Sequence, residues 1–87
     1  MSNQELIEFP CAFPIKVMGR DTEDFHSAVT DIVGRHAGDA QDYTVDSRPS
    51  REGRFISLTV TLQAKSREHL DKLYRELSQH ELVLMVL

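Results

Sequence analysis

Apolar and polar residues alternate along three stretches of the chain, and this period of two is typical of β-strands with one buried face. The clearest alternation covers residues 55–63, where one side is entirely apolar and the other is mostly polar. Residues 13–18 and 43–47 follow the same pattern over shorter lengths. A fourth stretch, residues 82–87, is apolar throughout and has the length of a strand. The pattern therefore predicts four strands.

Two other stretches repeat their apolar residues at helical spacing, which predicts two amphipathic helices. Asp21 or Thr22 is a suitable N-cap for the first helix, Gly38 a suitable end for it, and Ser66 a suitable N-cap for the second. The first stripe is Phe25, Ala28, Val29, Ile32, Val33 and His36, and the second is Leu70, Leu73, Tyr74 and Leu77.

The predicted order is β-α-β-β-α-β, with Gly19 ending the first strand, Pro49 ending the second and residues 51–53 forming a hairpin tip. With right-handed crossovers this order gives an α+β, ferredoxin-like sandwich, in which two helices cover one face of a four-stranded antiparallel sheet. We expect a single domain over residues 1–87, with residues 1–10 as an N-terminal arm. No helix covers the second face of such a sheet.

The last predicted strand is apolar on both of its faces. Leu82, Leu84 and Val86 alternate with Val83, Met85 and Leu87. Only one face of an edge strand can meet the helices, so the other needs a cover. The candidates are the arm, through Leu6, Ile7 and Phe9, and a second subunit. We therefore expect a homodimer, formed across the open sheet face or by edge pairing.

The net charge of −4 disfavours nucleic acid and anionic membranes as partners. Residues 1–46 carry nine acids and three bases, a charge of −6, whereas residues 47–87 carry five acids and seven bases, a charge of +2. The single cysteine, Cys11, cannot form an intrachain disulfide, which suits a reducing compartment. No stretch approaches the ~20 apolar residues of a membrane span. We expect a cytoplasmic protein that does not contact a membrane.

Candidate chemistry is sparse along the chain. The histidines at 26, 36, 69 and 80 form no i,i+4 pair, and the chain has no CxxC motif, so neither a metal nor another cofactor is expected. Cys11 has no neighbouring histidine or cationic setting that would activate a thiol, which favours a packing role over a nucleophilic one. We expect no enzyme activity, and an enzyme built around Cys11 is the least favoured function.

The predicted β2–β3 hairpin carries a group of basic residues. These are Arg48, Arg51 and Arg54. RNA-recognition domains of this topology also display several aromatic residues on the sheet for base stacking. Here Phe55 is the single aromatic residue predicted on the outward face. A nucleic-acid-binding domain that uses the hairpin is therefore the alternative function, and a solvated hairpin tip is the simpler interpretation.

Three blocks of the sequence resemble the bacterial YbeD family of small proteins. They are LIEFPCAFPIKVMG at 6–19, DYTVDSRPSREGRFISLTVT at 42–61 and LYRELSQHELVLMVL at 73–87. The resemblance implies a fold similar to ACT domains, which bind small effectors and regulate enzymes, usually as dimers. It also implies a link to lipoate metabolism, and it supplies no catalytic residues.

The same resemblance places an effector site at the turn between the first strand and the first helix. There Gly19 allows close backbone approach, Arg20 offers a forked donor to a carboxylate, and Asp21 accepts from an amine or hydroxyl. The alternative is purely structural, with a turn glycine, a helix cap and a solvated arginine. The function we expect is a regulatory or adaptor module that binds a small ligand or a partner protein.

Overall fold

The signals in the sequence produce the six predicted elements in the predicted order. A computed structural model describes residues 8–38 and 43–87 of the chain. Its elements are β1 (Cys11–Arg20), α1 (Glu23–Ala37), β2 (Tyr43–Pro49), β3 (Phe55–Ala64), α2 (Arg67–Gln79) and β4 (Val83–Val86). The arm falls largely on residues 1–7, which lie outside the described residues.

β1 is longer than predicted at both ends, because it runs from Cys11 to Arg20. β1 does not end at Gly19 but continues to Arg20, because it pairs with β3 over its whole length. Pro14 is tolerated inside β1 because of the side to which its nitrogen points. Lys16 exchanges two backbone hydrogen bonds with Leu87, so the nitrogen of Pro14, two residues earlier, also faces away from β3. Its missing N–H therefore costs no bond to β3.

Both predicted helix starts are capped by side chains. The Thr22 hydroxyl accepts from the backbone N–H of Phe25 at 3.1 Å, and the Ser66 hydroxyl accepts from that of His69 at 3.0 Å. Thr22 rather than Asp21 is therefore the cap of α1. The helix ends at Gly38, whose φ of 82° is a conformation that glycine adopts without strain.

The sheet has the order β2-β3-β1-β4, and all its neighbours are antiparallel. Both helices pack on one face, and the core lies between this face and the helices. The second face has no helix over it among the described residues, and we call it the open face. The predicted ferredoxin-like fold is confirmed. The largest fully buried side chains are Phe25, Ile15, Leu58, Leu62, Leu73, Leu77, Val17, Val29, Val33 and Val60.

Polar side chains join the two helices on the outside of the core. Glu76 accepts hydrogen bonds from His36 at 2.8 Å and from Arg35. His69 accepts from the backbone N–H of Lys65 through Nδ1, so its Nε2 carries the proton and donates to the His36 carbonyl at 2.7 Å. His36 near the end of α1 and His69 near the start of α2 thus both help to join the two helices.

We expect the free energy of unfolding of Glu76→Gln to change less with pH in the acid range than that of the wild type. The His36 side chain and then the Arg35 guanidinium hold the pKa of the Glu76 carboxyl below its ordinary value of 4.5. A group whose pKa is lowered by folding stabilises the native state above the unfolded pKa, and this stabilisation is lost as the pH falls through the folded pKa. The free energy of unfolding of Glu76→Gln should therefore be lower at neutral pH and fall less below about pH 4.5.

Urea unfolding of each protein at about pH 7 and about pH 3.5 measures this difference. Glu68→Gln is the matched control, because Glu68 lies on the same helix and its one ion pair among the described residues is with exposed Lys72 at 3.6 Å. Equal acid dependence in the two variants would contradict the prediction.

Candidate binding surface on the open face of the sheet

The open face consists of the residues that alternate with the buried ones along each strand, and most of these residues are polar. Ile15 and Val17 of β1 are buried beneath the helices, so the residues between and beside them point outward. Register then aligns outward residues of neighbouring strands in rows across the sheet. One row is Arg48, Ser57, Met18 and Met85, and the next is Asp46, Thr59, Lys16 and Leu87.

Four apolar side chains of this face form what we call the apolar patch, namely Met18, Phe55, Met85 and Leu87. Phe55 is 41% exposed, Met85 51% and Leu87 60%. Exposed apolar side chains that adjoin one another are more informative than single ones, because they mark binding surfaces. The sequence predicted that one face of the last strand would lack a cover, and the described residues leave Met85 and Leu87 uncovered.

Three cations surround the apolar patch, and we call them the basic rim: Lys16, Arg20 and Arg48. Asp46 is the one acidic residue on the described strands of this face, so the face is positive in a chain of net charge −4. Within residues 8–38 and 43–87, none of the three cations lies within 4 Å of a carboxylate, and the same is true of four other lysines and arginines, whereas three form ion pairs. The paired bases are Arg35, Arg54 and Lys72.

A shallow, open cavity of about 270 Å³ lies on this face beside the hairpin. Its walls are Met18 of β1, residues 48–50 at the end of β2 and residues 55–57 at the start of β3. Most of its lining is apolar, and the Arg48 side chain stands at its margin. The arrangement suits an apolar group that carries or adjoins a negative charge.

The predicted effector turn is held by internal contacts. Gly19 is buried, and a Cβ at this position would lie 2.4 Å from Cε1 of Phe25 and 2.7 Å from the carbonyl oxygen of Leu82. The missing side chain thus makes room for Phe25. Asp21 accepts from Nε2 of His26 at 3.1 Å, and its backbone N–H donates to the carbonyl of Arg54 at 2.9 Å. Gly19 and Asp21 therefore have structural roles, while the guanidinium of Arg20 remains exposed.

Two further cavities adjoin this turn. One of about 210 Å³ lies between Arg20 and Glu81, with Phe25, Leu82 and Leu84 in its walls. The other, of about 450 Å³, is a shallow depression next to the first turn of α1, and Asp21 and Glu23 make it acidic. Arg20 and Glu81 give the 210 Å³ cavity opposite charges beside its apolar residues, an arrangement that suits a small zwitterion. Sequence reasoning missed Glu81 because it lies far along the chain.

The fold brings the two predicted sites together at one end of the sheet. Arg20 lies over the ring of Phe55, with 5.7 Å between its Cζ and the ring centroid, and Asp21 bonds to the backbone of Arg54. Arg48 belongs to the open face, whereas Arg51 and Arg54 lie at the exposed hairpin tip. Arg54 is 3.9 Å from Glu52, which partly neutralises it. Arg48 thus lies on the sheet, and the other two hairpin arginines lie at the tip.

Three further possibilities considered from the sequence were a reactive Cys11, a metal site and a membrane span. Cys11 is half-buried at the opposite end of β1 and packs against the core. Among the described residues, no three histidine, cysteine or carboxylate side chains come together as metal ligands. Neither described helix has the length and apolar character needed to cross a membrane.

Residues 4–87 match the family described as "Protein of unknown function (DUF493)". The chain belongs to the DUF493 family. The match agrees with the resemblance to YbeD proteins, because that family carries the name UPF0250, as do the relatives of this chain. A UPF0250 protein of Nitrosomonas europaea is 47% identical over 87 residues, which cover 100% of both chains. One of Neisseria gonorrhoeae is 49% identical over 82 residues, covering 94% of this chain and 90% of the relative.

Solved structures confirm that this DUF493 chain has an ACT-like fold. Protein HP0495 of Helicobacter pylori superposes with a TM-score of 0.77 at 19% identity, covering 93% of this chain and 85% of that one. The ACT domain from the GTP pyrophosphokinase of Chlorobium tepidum superposes with a TM-score of 0.64 at 15% identity, covering 88% and 97%. Identities this low establish the fold alone.

Proposed function

We propose that this DUF493 protein is a non-catalytic regulatory or adaptor module that binds a partner on the open face of its sheet. The observation that carries the proposal is the apolar patch, which is exposed in the described structure and surrounded by three cations without ion-pair partners. Contiguous apolar surface with a polar rim is typical of interaction sites. Likeness to an ACT domain supports a module role.

Capture of partners from an extract of the native cell tests this proposal. Phe55→Asp and Met85→Asp place a charge in the apolar patch and should abolish capture without unfolding the domain, since both side chains are about half exposed. Leu84→Asp is the matched control, because Leu84 is 61% exposed on β4 but lines the cavity at the turn instead. Capture that survives both patch variants would refute the proposal.

A small effector bound at the β1–α1 turn is a second candidate function. The supporting observation is the 210 Å³ cavity between Arg20 and Glu81. A thermal-shift screen of amino acids, carboxylic acids and lipoate tests it, with lipoate included because of the YbeD resemblance. Stabilisation that is lost in Arg20→Ala and kept in Arg51→Ala would support the turn. An unchanged response in Arg20→Ala would place the ligand elsewhere.

Homodimerisation remains a proposal of its own. The position of β4 at the edge of the sheet, with its exposed Leu84, and the small core both favour edge pairing with a second copy. We expect light scattering at tens of micromolar to give the mass of a dimer. If the protein is a monomer, the N-terminal arm is left as the candidate cover of the last strand. Deletion of residues 1–9 should then cause aggregation.

The alternative of nucleic-acid binding predicts strong, salt-dependent binding through the hairpin. Only Phe55 offers an aromatic ring on the described open face, and Arg20 already lies over it. Titration of single-stranded RNA and duplex DNA at low salt should therefore give no binding. Binding that weakens steeply with added salt would revive this alternative.

A further inference from the structure

We propose that the partner presents an acidic segment with an apolar side chain that enters the hairpin cavity while neighbouring carboxylates meet the basic rim. This inference rests on the proposed function, because it specifies what the open face binds. The occupant of the open face is then a segment of another protein, rather than a nucleic acid, a free metabolite or a second copy of this chain.

The sign of the charge on the open face indicates an acidic partner. The chain as a whole is acidic, and yet the described strands place Lys16, Arg20 and Arg48 on this face against Asp46 alone. Surfaces that bind one another carry complementary potentials, which speeds association and rejects partners of like charge. A basic or neutral segment would leave the three cations without the ion pairs that they also lack in the described structure.

The geometry of the two arginines suits carboxylates in particular. The guanidinium carbon of Arg20 lies 5.7 Å from the ring centroid of Phe55, and this exposed group has N–H donors to offer a carboxylate. Arg48 stands in the same cross-strand row as Met18, at the wall of the cavity. A guanidinium donates two parallel hydrogen bonds to a carboxylate, which fixes orientation as well as charge. Arg48 therefore lies at the wall of the cavity, and Arg20 lies over Phe55, which also lines it.

The lining of the hairpin cavity favours an apolar side chain over a free polar ligand. Most of its wall is apolar, and Arg48 is the one charged residue that lines it. Single buried anchors of this kind, surrounded by a polar rim, contribute most of the affinity of many protein interfaces. The methionines beside the cavity add adaptable surface for different apolar anchors.

A second copy of this chain is a poorer occupant of the same face. Two-fold symmetric pairing brings the same surface of both subunits together. The basic rims would then face each other, with a single Asp46 from each subunit to offset three cations. The charge on this face therefore favours a different protein, and edge pairing remains open to a homodimer.

Selection from a random twelve-residue peptide library displayed on phage, panned on the full chain, tests the inference. The enriched peptides should combine aspartate or glutamate with leucine, phenylalanine or methionine. Fluorescence anisotropy with one enriched peptide should show binding that weakens with added salt. Arg48→Glu should weaken it at least about tenfold, because an attractive contact becomes repulsive. The matched control Arg51→Glu, at the hairpin tip, should change the affinity less than about twofold.

The outcomes separate this inference from the proposed function. Enrichment of basic or neutral peptides that fail to bind Phe55→Asp would overturn the acidic segment while supporting the open face. An enriched peptide that binds Arg48→Glu as tightly as the wild type would also overturn it. Peptides that bind Phe55→Asp and Met85→Asp undiminished would contradict the proposed function itself. Failure to enrich any peptide would overturn the inference and leave capture from extract to decide the function.

Discussion

Replacing Gly19 with alanine is expected to lower the free energy of unfolding by about 3 kcal/mol or more. The added Cβ would lie 2.4 and 2.5 Å from two ring atoms of Phe25 and 2.7 Å from the carbonyl oxygen of Leu82. Neither neighbour can move freely, because the ring is fully buried and the oxygen belongs to the backbone. For a domain of this size, such a loss corresponds to a fall in Tm of more than about 12 °C.

Gly34→Ala is the matched control, since it adds the same methyl group where there is room. The nearest atom to a Cβ at Gly34 is the Tyr43 hydroxyl oxygen at 3.7 Å, an ordinary contact. Alanine is favoured over glycine inside a helix by about 1 kcal/mol, so this variant should be slightly more stable than the wild type. Thermal and urea unfolding measure both. Wild-type stability in Gly19→Ala would show that the turn rearranges at little cost.

Truncating Phe25 to alanine is expected to cost about 3–5 kcal/mol, because a fully buried ring is removed and a cavity is left. The ring fills the space that Gly19 leaves open, and it connects the start of α1 to the end of β1. If Phe25→Ala fails to fold, Phe25→Leu serves as a milder truncation of the same contact. Urea unfolding at neutral pH measures the change.

The double variant tests whether these two residues act as a pair. In Gly19→Ala/Phe25→Ala the new methyl group enters space vacated by the ring, although the Leu82 carbonyl still limits it. We expect the double variant to be more stable than the sum of the two single changes predicts, by at least about 1 kcal/mol. Strict additivity would show that the clash with Phe25 is not what excludes alanine from position 19.

The pairing of these residues also bears on the candidate sites. Gly19 packs against the ring of Phe25, and the next residue of β1, Arg20, lies over the ring of Phe55 on the open face. Destabilising changes at Gly19 or Phe25 would thus disturb both the 210 Å³ cavity and the basic rim. Functional tests should use Arg20, Arg48 and Met85, whose side chains lie at the surface, since loss of binding there is separable from loss of folding.

Most of the architecture was predictable because it is encoded locally. The period-two alternation of residues 55–63 determined which side of the central strand β3 would be buried. Thr22, Ser66 and Gly38 act within one turn of their helix ends, so short-range chemistry was enough to identify them. The uncovered last strand was also visible, because six consecutive apolar residues cannot all face one core.

The composition of the binding surface was decided only by the tertiary structure. Met18 and Met85 become neighbours through the pairing of β1 with β4, and Arg20 meets Phe55 through the pairing of β1 with β3. Periodicity states which face a residue occupies, whereas register depends on how the whole core packs between sheet and helices. For the same reason the sequence left open whether Gly19 serves a ligand or only makes the turn, and the fold shows it making room for Phe25.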